Sequence, residues 1–273
     1  MVSNTGFVDV GGGRLYYESA GSGPPLLLIH GGLGSLRMWD HQVPAWSERF
    51  QVIRFDTRGF GRTETDEVEF SNRADAVAVL EHLGHESAFV VGQSRGGTIA
   101  LDLALERPAA VRALVLISAG ASGLEPQLPA GGKAPPFEEM ERLWEAREWA
   151  ALAELETRVW VDGWGQPPDR VSATLRRQVH GWILDSYRAE KNEGLPQPLD
   201  PPAAGRLGDV QVPTLVMVGL ADEPGARASA RQISASIRNA RLIELDGVAH
   251  MVQLEEPERV TSVVLEFLGD VAR

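Results

Sequence analysis

The chain is organised by short, mostly apolar runs, several of which end in a turn rich in glycine. Residues 26–29 run straight into His30-Gly31-Gly32-Leu33-Gly34, and residues 52–55 into Asp56-Thr57-Arg58-Gly59-Phe60-Gly61. Residues 88–91 run into Gly92-Gln93-Ser94-Arg95-Gly96-Gly97, and three further runs lie at 114–117, 214–218 and 241–245. Runs this short, with little or no polar alternation, suit strands buried on both faces. Helical patterns separate several of them. Residues 71–83 have Ser71 as N-cap and Gly84 as stop, residues 98–107 end at Pro108, and residues 257–268 close the chain. Strands alternating with helices predict βαβ units and a mostly parallel sheet. Residues 7–10 and 15–18, joined by Gly11-Gly12-Gly13, predict an antiparallel hairpin at one edge. The expected fold is α/β, with about eight strands flanked by helices.

One stretch breaks the alternation. Residues 121–205 show no strand pattern. They open with a loop at 124–136, continue with helical segments at 137–149, 150–161 and 171–190, and close on a proline-rich segment at 196–202. Five of the seven tryptophans lie here: Trp144, Trp149, Trp160, Trp164 and Trp182. The expectation is a core domain formed by 1–120 and 206–273, with 121–205 inserted as a helical cap.

Composition narrows the class of partner. Of 273 residues, 38 are acidic and 26 basic, a net charge of −12. That balance disfavours nucleic acid and anionic membrane surfaces as partners. The absence of cysteine removes disulfides, thiolate metal sites and cysteine nucleophiles. No cluster of His, Asp and Glu has metal-ligand spacing, so neither metal nor cofactor is expected. With no apolar run long enough to span a bilayer and no secretory pattern at the N-terminus, a soluble cytoplasmic protein is expected, monomer or homodimer.

The chemistry centres on Ser94. Its Gly-x-Ser-x-Gly turn sits between a buried strand and a helix, where small flanking residues allow a tight bend that exposes the hydroxyl at the helix N-terminus. A serine hydroxyl needs a base. Downstream of Ser94 only His180 and His250 occur, and His180 falls inside the insertion, which leaves His250, just beyond the last strand. Asp222, just beyond the strand at 214–218, is the expected acid, to orient the imidazole and stabilise its charged form. Glu223 and Asp246 are its rivals. The oxyanion donors are expected to be the backbone N–H of Arg95 and that of Gly32, with Leu33 as second candidate. His30 is expected to order the Gly31-Gly32 loop and not to serve as base.

As a set, His30-Gly31-Gly32, Asp56-x-Arg58-Gly59-x-Gly61, the Ser94 turn, Gly219-x-x-Asp222 and Gly247-x-x-His250 resemble the α/β-hydrolase superfamily. Within it the chain is similar to the group of 3-oxoadipate enol-lactonases, small carboxylesterases and cofactor-free haloperoxidases. The resemblance covers essentially the whole chain. It implies a cofactor-free serine hydrolase acting on a small ester or lactone through an acyl-enzyme. Alternatives on the same triad are a carbon–carbon bond hydrolase, a haloperoxidase-type perhydrolase, and a slow-turnover ligand-binding sensor. The departures from the family pattern are Thr63, Asp246 and Arg95, where Ser, Pro and Met or Leu are usual.

Two features remain open. The Arg95 guanidinium opposes the helix dipole and is expected to meet a carboxylate, from a structural ion pair with the cap or from a substrate. Trp144, Trp160, Trp164 and Trp182 are candidates to line an apolar substrate pocket, or to pack the insertion on the core.

Overall fold

The computed structural model describes residues 4–125 and 134–271. Most of the predicted loop at 124–136 therefore lies outside the described residues. Eight strands form the body of one sheet. They are β1 (Asn4–Val10), β2 (Gly13–Ala20), β3 (Pro25–Ile29), β4 (Gln51–Phe55), β5 (Ala88–Gln93), β6 (Val111–Ile117), β7 (Thr214–Gly219) and β8 (Ala240–Leu245). Their spatial order is β1-β2-β4-β3-β5-β6-β7-β8, and the two-residue strand Glu64–Thr65 pairs with β2. β1 and β2 are antiparallel, β2 meets β4 antiparallel, and every pair from β4 to β8 is parallel.

The unbroken apolar runs have the expected cause. In β3, Leu27 and Ile29 join one core cluster while Leu26 and Leu28 join the other. In β5, Val90 faces the first cluster, and Phe89 and Val91 the second. The helices supply the outer walls. On one face lie α1 (Asn72–His82), α2 (Arg95–Glu106) and α6 (Pro224–Ser236), through residues such as Val79, Leu101 and Ile233. On the other lies α7 (Pro257–Val271), through Val260, Val264 and Leu268, together with Trp39 and Trp46. Ser71 caps α1 as expected, its hydroxyl accepting from Ala74 N–H at 3.3 Å.

Between β6 and β7 lie α3 (Phe137–Glu145), α4 (Trp149–Glu156) and α5 (Ala173–Arg188), with a π-type turn over Thr157–Val161 continuing α4. They enclose one small apolar cluster of their own, around Leu143, and share a second, around Val179, with Met251 and Leu254 from beyond β8. No helix among the described residues is long and apolar enough to cross a membrane.

Three local expectations are corrected. The helix after Ser94 begins at Arg95, three residues before the expected 98, because the turn launches it directly and Gly96-Gly97 pack within it. The segment expected as one helix over 137–149 stops at Glu145, and Arg147 takes a positive φ of 55°. The insertion also contains a strand after all: Leu195–Pro196 pairs in parallel with Glu69–Phe70, tying its end to the core.

Candidate active site

The site residues stand on turns at the C-terminal ends of parallel strands, where ligand sites in open α/β sheets form. Ser94 follows β5 with φ 52° and ψ −121°, a conformation that costs a non-glycine residue about 1–3 kcal/mol. Crowding enforces it. A Cβ on Gly92 would lie 2.3 Å from the Gly96 carbonyl oxygen, and one on Gly96 would lie 2.2 Å from the Ile29 carbonyl oxygen. Strand and helix touch backbone to backbone, and Ser94 is pushed outward between them. Its N–H donates to the Ile117 carbonyl at 2.8 Å, and its carbonyl accepts from Thr98 N–H at 3.0 Å.

Asp222 follows β7 and His250 follows β8. The His250 Nδ1 lies 2.9 Å from Asp222 Oδ2 and 3.1 Å from Oδ1. Both side chains are buried. Burial disfavours the imidazolium, but the Asp222 charge and hydrogen bond, with Glu223 and Glu255 behind them, raise the His250 pKa above its ordinary value. With Nδ1 held by the carboxylate, Nε2 is left for proton transfer. The Trp160 ring packs on the imidazole at a centroid distance of 4.6 Å.

The rivals have other work. Glu223 caps α6, accepting from Gly225 N–H at 2.6 Å and from Ala226 N–H. Asp246 is exposed, and His180 lies near Glu154 on the insertion. Gln93, which no sequence pattern marked, donates from Nε2 to the His250 carbonyl at 3.1 Å and so joins the Ser94 turn to the His250 loop. From the insertion, Arg170 reaches the same loop. Its guanidinium donates to the Gly247 carbonyl at 2.6 Å and to Glu255, which accepts from Ala249 N–H at 3.0 Å.

Where oxyanion donors are expected from sequence, the Arg95 N–H is the first of α2 and has no intrahelical acceptor. Gly32 opens onto a cavity, and a Cβ there would meet only Arg95 Cδ, at 4.0 Å. Leu33 packs partly buried against the insertion. His30 orders this loop by a defined pattern. Its Nε2 accepts from Thr57 N–H at 3.0 Å, so Nδ1 carries the proton and donates to the Gly31 carbonyl at 2.7 Å. Burial lowers its pKa to about 4, which keeps it neutral. The Thr57 hydroxyl lies 3.1 Å from the same Nε2 and accepts from Arg95 Nη1 at 2.8 Å. Asp56 holds the neighbouring turns, accepting from Leu36 N–H at 2.8 Å and Arg62 N–H at 2.7 Å. Thr63 serves in place of serine, donating to the Asp56 carbonyl at 2.5 Å and accepting from Tyr16 N–H at 3.0 Å.

A cavity of about 640 Å³ adjoins Gly32 and Phe60. Of the four tryptophans expected to line a pocket, only Trp144 lines this one, and Trp149 and Tyr187 line it without having been expected. Trp164 borders a separate cavity of about 900 Å³ next to Pro224, and Trp182 one of about 220 Å³ next to Gly34. Among the described residues, no group of three or more His, Asp or Glu is placed to hold a metal ion.

The alpha/beta hydrolase fold family model matches residues 24–257, and the chain belongs to that family. A 2-hydroxymuconate semialdehyde hydrolase of Pseudomonas sp. (strain CF600) is 30% identical over 275 residues, covering 94% of this chain and 91% of that one. The enol-lactonase of Burkholderia xenovorans LB400 superposes with a TM-score of 0.72 at 23% identity, covering 97% of this chain and all of the other. The esterase RhEst1 of Rhodococcus sp. ECU1013 superposes with a TM-score of 0.79 at 22% identity, covering 99% and 100%. At these identities the two structures show the shared fold.

Proposed function

We propose that the chain is a serine hydrolase that cleaves a carboxylic ester or lactone without a cofactor. The observation that carries this reading is the buried 2.9 Å contact of His250 Nδ1 with Asp222, set at the same strand-end edge as the strained Ser94 turn. Ser94 Oγ attacks the acyl carbon while His250 Nε2 takes its proton. The oxyanion of the tetrahedral intermediate receives hydrogen bonds from the Arg95 and Gly32 N–H groups. Collapse breaks the acyl–oxygen bond, and His250 returns the proton to the leaving alcohol. Water then loses a proton to His250 and attacks the acyl-enzyme, and as the acid leaves His250 returns that proton to Ser94 Oγ. Asp222 stabilises the imidazolium at each proton transfer. In this reading residues 121–205 form a cap that roofs the site, and the protein acts in the cytoplasm on small molecules.

The test is hydrolysis of p-nitrophenyl esters from acetate to decanoate by wild type and Ser94→Ala. Turnover of about 1–1000 per second, lost in the variant, supports the reading. A single stoichiometric burst with negligible turnover supports a sensor instead. The similarity to a 2-hydroxymuconate semialdehyde hydrolase favours one second reading, cleavage of a carbon–carbon bond by the same three side chains. Release of product from a vinylogous diketone acid, with no hydrolysis of any ester, supports that one.

A further inference from the structure

Several arginines of this protein are sunk into its body, and they meet carboxylates. Arg54 pairs with Glu18 at 2.6 Å, Arg58 with Asp75 at 2.8 Å, Arg73 with Glu106 at 3.0 Å and Arg170 with Glu255 at 2.5 Å. Burying a cation without such a partner is costly. Arg95 departs from this pattern. Among the described residues no carboxylate comes within 4.0 Å of its guanidinium, so the ion pair with the insertion, expected from sequence, is not formed there. Its partners are neutral: Thr57 Oγ1 at 2.8 Å, Asn72 Oδ1 at 3.4 Å and the Phe60 ring face, 5.1 Å from the guanidinium carbon to its centroid. Burial disfavours the charge, and only the field of the more distant Glu193 supports it.

The position makes this exception useful. Arg95 directly follows Ser94, its side chain passes Gly32, and it stacks on Phe60. Gly32, Phe60 and Glu193 all line the 640 Å³ cavity. The neutral partners fix the guanidinium plane, and its charge stands without an ion-pair partner next to two residues of the cavity wall, Gly32 and Phe60. We propose that Arg95 is the receptor for a carboxylate carried by the substrate, and that the natural substrate is an ester or lactone bearing a second, anionic carboxyl group. The inference rests on the hydrolase reading above and adds its specificity-determining residue. A guanidinium suits the task because its planar fork can grip a carboxylate bidentately.

The test compares matched substrates in wild type, Arg95→Met and Arg95→Lys. On the acyl side, p-nitrophenyl monoesters of succinate, glutarate and adipate are set against p-nitrophenyl butyrate. On the alcohol side, acetoxybenzoates are set against phenyl acetate. In wild type, kcat/KM should favour the carboxylated member on one side by about tenfold or more. In Arg95→Met that ratio should collapse toward one, mainly through KM, with partial recovery in Arg95→Lys. The side that shows the preference identifies which half of the substrate bears the charge. A ratio near one in wild type on both sides, or a ratio unchanged in Arg95→Met, overturns the proposal. So does Arg95→Met losing stability that Arg95→Met/Glu193→Gln regains with the ratio untouched, since Arg95 would then serve as a structural partner of Glu193. Calorimetric binding of glutarate to wild type and Arg95→Met runs alongside. It reads the site without turnover, so it still decides the proposal if ester hydrolysis survives Ser94→Ala and the serine reading falls.

Discussion

The strand-end platform and the helical insertion above it are built on different terms. Around Ser94 the main chain itself is packed, with Gly92 and Gly96 in backbone contact with their neighbours and the flanking strands buried on both faces. The insertion holds together by rings and ion pairs. Trp144, Trp149 and Tyr187 stack at centroid distances of 5.3–5.5 Å, Arg176 pairs with Glu154 and Asp162, and Trp144 stays 47% exposed. A region with fewer buried apolar contacts opens locally at lower free energy than the sheet does. Under the proposed function, chemistry falls to the stiffer region and access to the more yielding one.

The largest effect should come from the platform. Ser94→Ala should lower kcat by about 10⁴-fold or more with the fold intact, measured by steady-state kinetics and circular dichroism. Retained turnover would detach the strained turn from the chemistry. Next is the clasp between the two regions. Arg170→Ala leaves Glu255 buried without its cation and should cost about 3 kcal/mol, with the insertion becoming sensitive to protease before the sheet melts. Uniform loss of protection instead would merge the two regions into one cooperative unit.

Acidity should separate the regions further. Glu156 accepts from the Tyr187 hydroxyl, and burial raises its pKa to about 7. A carboxyl raised in the folded state contributes stability below its unfolded pKa and loses it as pH rises through about 7. Glu156→Gln should therefore stabilise the protein by on the order of 1–2 kcal/mol at pH 8 and little at pH 4, read from denaturant midpoints. In the platform, His250 must be neutral to act, and its pKa is raised. The acid limb of kcat/KM should therefore lie above the ordinary histidine value, and Asp222→Asn should move it lower. Smallest is Arg142→Ala, whose partners Glu139 and Glu148 are solvent-exposed; neither Tm nor kcat should change measurably.

The same contrast explains what could be read in advance. β3 and β5 were legible because burial on both faces writes a continuous apolar run, and Ser71 was legible because capping is local. Ser94, Asp222 and His250 were marked by their places after strands. Elsewhere the cause is not local. Nothing in Leu195–Pro196 announces pairing with Glu69–Phe70, since that strand is made by its partner. The helix α6, with small residues such as Ala230 and Ser229 on its inner face, carries too faint a stripe to stand out. Which tryptophan faces which cavity depends on how three helices pack, and the sequence shows only that tryptophans are present. Arg95 was marked as odd, but its lack of a carboxylate is a fact about every neighbour at once.

The polar groups beside Ser94 have a direction. Arg95 can only donate, so the Thr57 oxygen must accept from it, and the Thr57 proton turns toward His30 Nε2. His30 then keeps its own proton on Nδ1 and donates it in a hydrogen bond to the Gly31 carbonyl. The sequence behaves as a one-way ratchet of donors, anchored at a group that cannot reverse. With a thioether in place of Arg95, as in a Met variant, the Thr57 hydroxyl would be free to rotate, while the Thr57 N–H would still hold the His30 tautomer that braces the Gly31 peptide.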